Sequence, residues 1–210
     1  MISLVLRYAR RVASTRDRIL AVSEELFRRQ GLNGTGLKQI LDQAEAPFGS
    51  LYHHFPGGKV ELAAATIERA GAHYGAVVAA KLGDPGDDPV GSLRGAFRDA
   101  AETLRETDYV DACPIETVAL EVANTNEELR TATARVFDSW TAAVALWFAA
   151  AGVPAENSRG LALAMLAALE GAFVLARATR TPDAVLAAGD AIAALLDAEL
   201  RAQGQTPSTA

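Results

Sequence analysis

Pro47 is the residue that most narrows what this chain can become. Ahead of it, Leu37, Ile40, Leu41 and Ala44 recur at helical spacing, and the stripe ends at Glu45-Ala46. Proline costs a helix nothing in its first turn, where its missing N–H would have no partner anyway. A second helix is therefore expected from Pro47 through Phe55, closed by Pro56-Gly57-Gly58. Thr35, just before the first stripe, is expected to cap it with its hydroxyl. Two helices crossing at a three- or four-residue turn form a helix-turn-helix, whose second helix enters the DNA major groove.

Within that second helix Leu51 and Phe55 share the inward spacing, which turns Gly49, Ser50, Tyr52 and His53 toward a groove or its phosphates. Tyr52 and His53 could also pack inside a small head, but Leu51 and Phe55 already fill the apolar positions. Thr35 and Gly36 at one helix start, Pro47 and Phe48 at the next, and Lys59 at the third complete the candidate DNA-binding set. The free amides and dipole of a helix start favour anions, so Lys59 is a candidate phosphate contact. Gly57-Gly58-Lys59 does not make a nucleotide loop: His53 stands where GxxxxGK[ST] needs its first glycine, and Val60 where it needs Ser or Thr.

The run Gly49-Ser50-Leu51-Tyr52-His53-His54-Phe55, with Lys59 after it, resembles the DNA-binding signature of the TetR family of repressors. The longer GTGLKQIL and APFGSLYHHFPGGK segments, with a later CPIET stretch, are similar to its LmrA/YxaF-like branch. The resemblance is close over about residues 15–70 and looser beyond. Glu45 departs from it, standing where many members carry glycine in the turn. Phe48 also departs, replacing a lysine or other polar residue and removing a phosphate contact. The resemblance implies an all-α fold of about nine helices: a three-helix DNA-binding head, and a helical body for ligand binding and dimerisation.

Charge divides along the chain. The net charge of -6 argues against nucleic acid until residues 1–59 are taken alone, where nine Lys/Arg face five acids. That stretch is +4, which leaves -10 for the remainder. A basic module on an acidic remainder fits a DNA-binding head joined to a separate partner domain. The single Cys113 excludes an intrachain disulfide and suits a reducing cytoplasm. Neither it nor the three histidines suggest a metal site, and no cofactor is expected. MISLVLRYARR lacks a long apolar core, so residues 1–14 are expected to be a flexible basic arm rather than a signal peptide.

Helices are expected at 15–30, capped by Ser14 or Thr15 and ended by Gly31, and at 58–82, ended by the Gly83–Pro89 break. Five more follow at about 90–106, 114–123, 126–151, 156–180 and 183–202, before a polar tail at 204–210. Domain boundaries are accordingly expected at 15–60 for the head and 61–203 for the body. Leu161–Val174 is apolar on nearly every side, which demands burial all round. Glu170 in mid-segment argues against a membrane span, which needs about 20 apolar residues. Packing of this helix and the next against a second subunit is expected, with Leu166, Ile192 and Leu195 at the interface.

Catalysis by Cys113 would need a base within reach, and His73 is the only histidine outside the head. The resemblance instead implies an effector cavity in the body. Its candidate walls are Phe97, Leu104, Cys113, Thr117, Trp147 and Phe173, with Glu170 as a buried polar contact that Arg177 or a ligand hydroxyl could partner. The expected protein is a cytoplasmic homodimeric repressor on a pseudo-palindromic operator, released by a small apolar, planar aromatic effector. The alternative is a DNA-binding adaptor whose body binds another protein; an enzyme is disfavoured.

Overall fold

The computed structural model describes residues 14–110 and 113–204, and among them nine α-helices and no strand. The expected basic arm at 1–14, apart from Ser14, and the polar tail beyond Gly204 lie outside the described residues.

Three short or amphipathic helices come first. Helix α1 (Thr15–Gln30) is capped by Ser14, whose hydroxyl accepts the Asp17 amide, and stops at Gly31 with φ 76°. Helix α2 (Leu37–Gln43) is followed by the turn, and α3 (Phe48–His54) by Phe55 and Pro56. Pro47 is the residue before α3 rather than its first turn, in extended conformation. Helix α4 (Gly58–Leu82) then runs unbroken for 25 residues. Beyond Gly83–Asp88 come α5 (Pro89–Glu106), α6 (Pro114–Val122), α7 (Glu127–Ala150), α8 (Ala155–Thr179) and α9 (Asp183–Gly204). Asp88 caps α5 through the Gly91 amide, with Pro89 in the first turn where proline belongs.

Contacts divide the chain into two compact units, and not at a single point. The first takes the described residues up to Ala72 together with Pro114–Val136; the second takes His73–Cys113 and Phe137 onward. The boundary expected at residue 60 divides the chain by order alone. It leaves out α6, which packs along α1 within the first unit.

The first unit buries Ile19, Leu20 and Phe27 of α1 with Ile40, Leu41, Leu51 and Phe55. Ile115 and Val118 of α6 are equally buried. In the second unit α9 packs along both α5 and α8. Leu93, Phe97, Phe148, Met165, Ile192 and Leu196 form its core. Gly189 is what lets α9 approach: a Cβ there would come within 2.6 Å of Phe97 Cβ.

Candidate nucleic-acid interface and ligand cleft

The turn between α2 and α3 is held from α1. Arg18 Nε donates to the Ala44 carbonyl at 3.0 Å, occupying an acceptor that the end of α2 would leave free. Its guanidinium also reaches the Glu45 carbonyl at 3.5 Å. The Ala46 amide donates back to Leu41 O at 3.0 Å, and Glu45 takes φ 51° to make the reversal. Leu51 and Phe55, at 0% and 1% exposure, anchor α3 against this frame. Arg16 lies 5.4 Å from the centre of the Phe55 ring, in cation–π range.

Anchoring one side of α3 fixes what the other presents. Phe48, Gly49, Tyr52 and His53 are all exposed, and Ser50 is half-buried. The Phe48 and Tyr52 rings, one helical turn apart, have centroids 6.1 Å apart and tilted by 58°. A Cβ at Gly49 would meet nothing within 4 Å, so this part of the backbone can be closely approached. Pro47 and Gly36 are exposed at the two helix starts. Lys59, the second residue of α4, is half-buried beside Asn33, Thr125 and Asn126.

Thr35 departs from expectation. It does not cap α2: Gly36 is the cap position, with no side-chain bond. Thr35 is buried, its hydroxyl donating to the Gly31 carbonyl at 2.6 Å and accepting from Gln30 Nε2 at 3.3 Å. A hydroxyl folded back into its own turn is unavailable to DNA, so its side chain is removed from the candidate interface. One link was not legible in the sequence. Glu121 of α6 accepts the Asn33 amide at 2.9 Å and presses against Gly31, tying α6 to the loop before α2.

The second unit contains an apolar cleft of about 140 Å³. Of the expected walls it brings together Phe97, Leu104, Cys113, Glu170 and Phe173. Thr117 is not among them, because it belongs to α6 and hence to the first unit. Trp147 is not either: it borders an adjoining space, where its indole N–H donates to the Gly83 carbonyl at 2.9 Å. Trp140, two helical turns earlier, lines the cleft in its place. Tyr74, Val78 and Lys81 of α4, Ala100 of α5, and Met165, Leu166 and Leu169 of α8 also line it. Glu170 contributes an Oε2 sealed from solvent, and Lys81 reaches Asp99 at 3.9 Å.

The expected dimer residues separate. Leu166 and Ile192, at 7% and 3% exposure, belong to the interior of their own unit, whereas Leu195 is 49% exposed. The first two are already covered within a single copy and leave little surface for a second one to bury. In addition to Leu195, the large apolar side chains exposed on these helices are Leu163, Val174 and Leu175 of α8 and Leu186 of α9.

Two sequence profiles match the chain. Residues 19–66 match the bacterial regulatory proteins of the tetR family, and residues 89–191 match the C-terminal domain of LmrA/YxaF-like transcriptional regulators. An uncharacterized HTH-type transcriptional regulator of Mycobacterium tuberculosis (strain ATCC 25618 / H37Rv) is 33% identical over 170 residues, 79% of this chain and 85% of the relative. The uncharacterized HTH-type transcriptional regulator YxaF of Bacillus subtilis (strain 168) is 31% identical over 182 residues, 87% of this chain and 95% of the relative. The crystal structure of a regulatory protein TetR from Rhodobacter sphaeroides superposes with TM-score 0.76 at 22% identity, over 86% of this chain and 98% of that one.

Proposed function

From the premise that this chain belongs to the TetR family, within its LmrA/YxaF-like branch, and is a DNA-binding transcriptional regulator, we propose that it is a ligand-responsive repressor. It acts as a homodimer on a pseudo-palindromic operator, and a small apolar effector releases it. The observation that carries the DNA half is the exposed side of α3, held outward by buried Leu51 and Phe55. Phe48, Gly49, Ser50, Tyr52 and His53 read the groove, while Pro47, Gly36 and Lys59 approach the phosphates.

Dimerisation uses the apolar side of α8 and α9. Helix α8 is long and apolar enough to cross a membrane. Its Met165, Leu166 and Leu169 are nonetheless buried in the second unit, while Leu163, Val174 and Leu175 are about half exposed. A second copy covering that exposed side accounts for the apolar composition better than lipid does. Exposed Ala164, Ala167 and Gly171 on the same side permit close helix approach.

The cleft favours a guest of one ring. An apolar cavity of 150 Å³ takes up benzene, and this one, at about 140 Å³, is of that size. A larger planar guest requires the walls to part. Whatever binds shifts DNA affinity only as far as it prefers one conformation over the other.

Selection of bound duplexes from a random pool tests this reading. The enriched sequences should be pseudo-palindromes with half-sites about one helical turn, or a multiple, apart. Repeating the selection with single-ring aromatics should reduce recovery. Lys59→Ala should weaken all duplexes about equally, and Tyr52→Ala should change sequence preference. Enrichment unaffected by any small molecule, with a co-purifying protein instead, favours the adaptor.

A further inference from the structure

The outward side of α3 is unusual chemistry for a surface that meets DNA. Its most prominent side chain is Phe48, 59% exposed, which has no hydrogen-bond donor, no acceptor and no charge. Tyr52, 52% exposed, leans against it with ring centroids 6.1 Å apart, so the phenyl ring is braced from one side. Gly49 beside it adds no side chain, and a Cβ there would meet nothing within 4 Å. The ring is therefore open to a partner approaching this part of the helix, and water is what it would shed.

What such a ring can recognise in the major groove is limited. Base edges there present mainly donors and acceptors, and the largest apolar group among them is the C5-methyl of thymine. Set against a polar edge, the ring would strip water from groups it cannot bond, which is unfavourable. Set against a methyl group, it removes apolar surface from water on both partners. We propose that Phe48, braced by Tyr52, specifies thymine at one position of each half-site by packing on its 5-methyl group. The proposal rests on the assignment of α3 to the major groove and adds to it which base the first turn reads.

The test removes the methyl group and nothing else. In a duplex chosen by the selection above, each thymine is replaced in turn by deoxyuridine, which keeps every hydrogen-bonding group. Affinity of the full-length protein is measured for each duplex. The expected result is a loss of about fourfold at one thymine per half-site, the value of one methyl group. Phe48→Ala should bind the thymine and uracil duplexes equally at that position. Phe48 is exposed, so this variant should melt with the wild type; if it fails to fold, the wild-type uracil scan decides alone. Wild-type affinity unchanged by uracil throughout the half-site overturns the proposal, as does a folded Phe48→Ala that still discriminates. Both results leave the DNA-binding reading standing. Failure of the wild type to retain any duplex from the pool would instead remove the groove assignment beneath the proposal.

Discussion

At Glu45 the chain turns between α2 and α3 with φ 51°, a region that residues with a Cβ enter at a cost. The strain is local, because Arg18 already holds the carbonyls of Ala44 and Glu45. Glu45→Gly should therefore relieve it without altering the turn. The loss of Cβ strain outweighs the extra freedom that glycine gives the unfolded chain. A gain of about 1 kcal/mol, or roughly 2–4 °C in Tm for a chain of this size, is expected. Thermal melting of the two proteins checks it; an unchanged or lower Tm would mean the carboxylate side chain makes a compensating contact. Thr35 teaches a related lesson. A threonine before an apolar stripe is an ordinary capping signal. Here the Gly31 carbonyl, left free where α1 stops, competes for the same hydroxyl and captures it.

Among elements, α8 and α9 carry the sharpest contrast. Leu195 is 49% exposed and Leu196 is fully buried, though they are adjacent. Leu195→Arg should leave the subunit folded and give a monomer in sedimentation. Leu196→Arg would bury an unpaired charge, which typically costs several kcal/mol, and should unfold the protein. Equal behaviour of the two variants would contradict the assignment of the dimer face. The pair also explains what could be read in advance. Helix ends were legible to within a residue or two because Ser14, Gly31, Pro47, Pro56, Pro89, Pro114 and Pro182 punctuate them. Facing was legible in α1 and α3, where polar residues contrast with the apolar ones. It was not legible in α8, where small apolar residues occur on every side and no period distinguishes core from interface. Leu166 and Ile192, expected at an interface, are buried within a single copy. The cleft was half legible for a similar reason: Trp140 and Trp147 share a face by spacing. The bond from Trp147 to the Gly83 carbonyl, 64 residues away in sequence, holds Trp147 at the adjoining space, and no local pattern announces it. The inclusion of α6 with α1 depends on contacts distant in sequence, which no local pattern announces.

For the molecule as a whole, the residues proposed to meet DNA and those lining the cleft are different sets, so the two proposed activities should be separable by substitution. Ala100 is a partly exposed wall of the cleft, so Ala100→Trp should fill it without overpacking the core. Thermal stabilisation by single-ring aromatics should then vanish while operator affinity is unchanged; persistence of the stabilisation would place the guest elsewhere. The central claim is narrower, that the exposed side of α3 is what touches DNA. Gly49→Glu tests it directly, since a Cβ at Gly49 meets nothing within 4 Å and glutamate is a better helix former than glycine. The variant should melt at or above the wild-type temperature, yet its carboxylate would face phosphates and base edges. The measurement is the affinity of both proteins for the selected duplex across a salt series. Wild-type binding should fall steeply with salt as counterions are released. Gly49→Glu should lose about a hundredfold or more at the lowest salt, consistent with a like charge set against a charged partner. A folded Gly49→Glu that binds the same duplex within about threefold of wild type, well under 1 kcal/mol, would contradict the account.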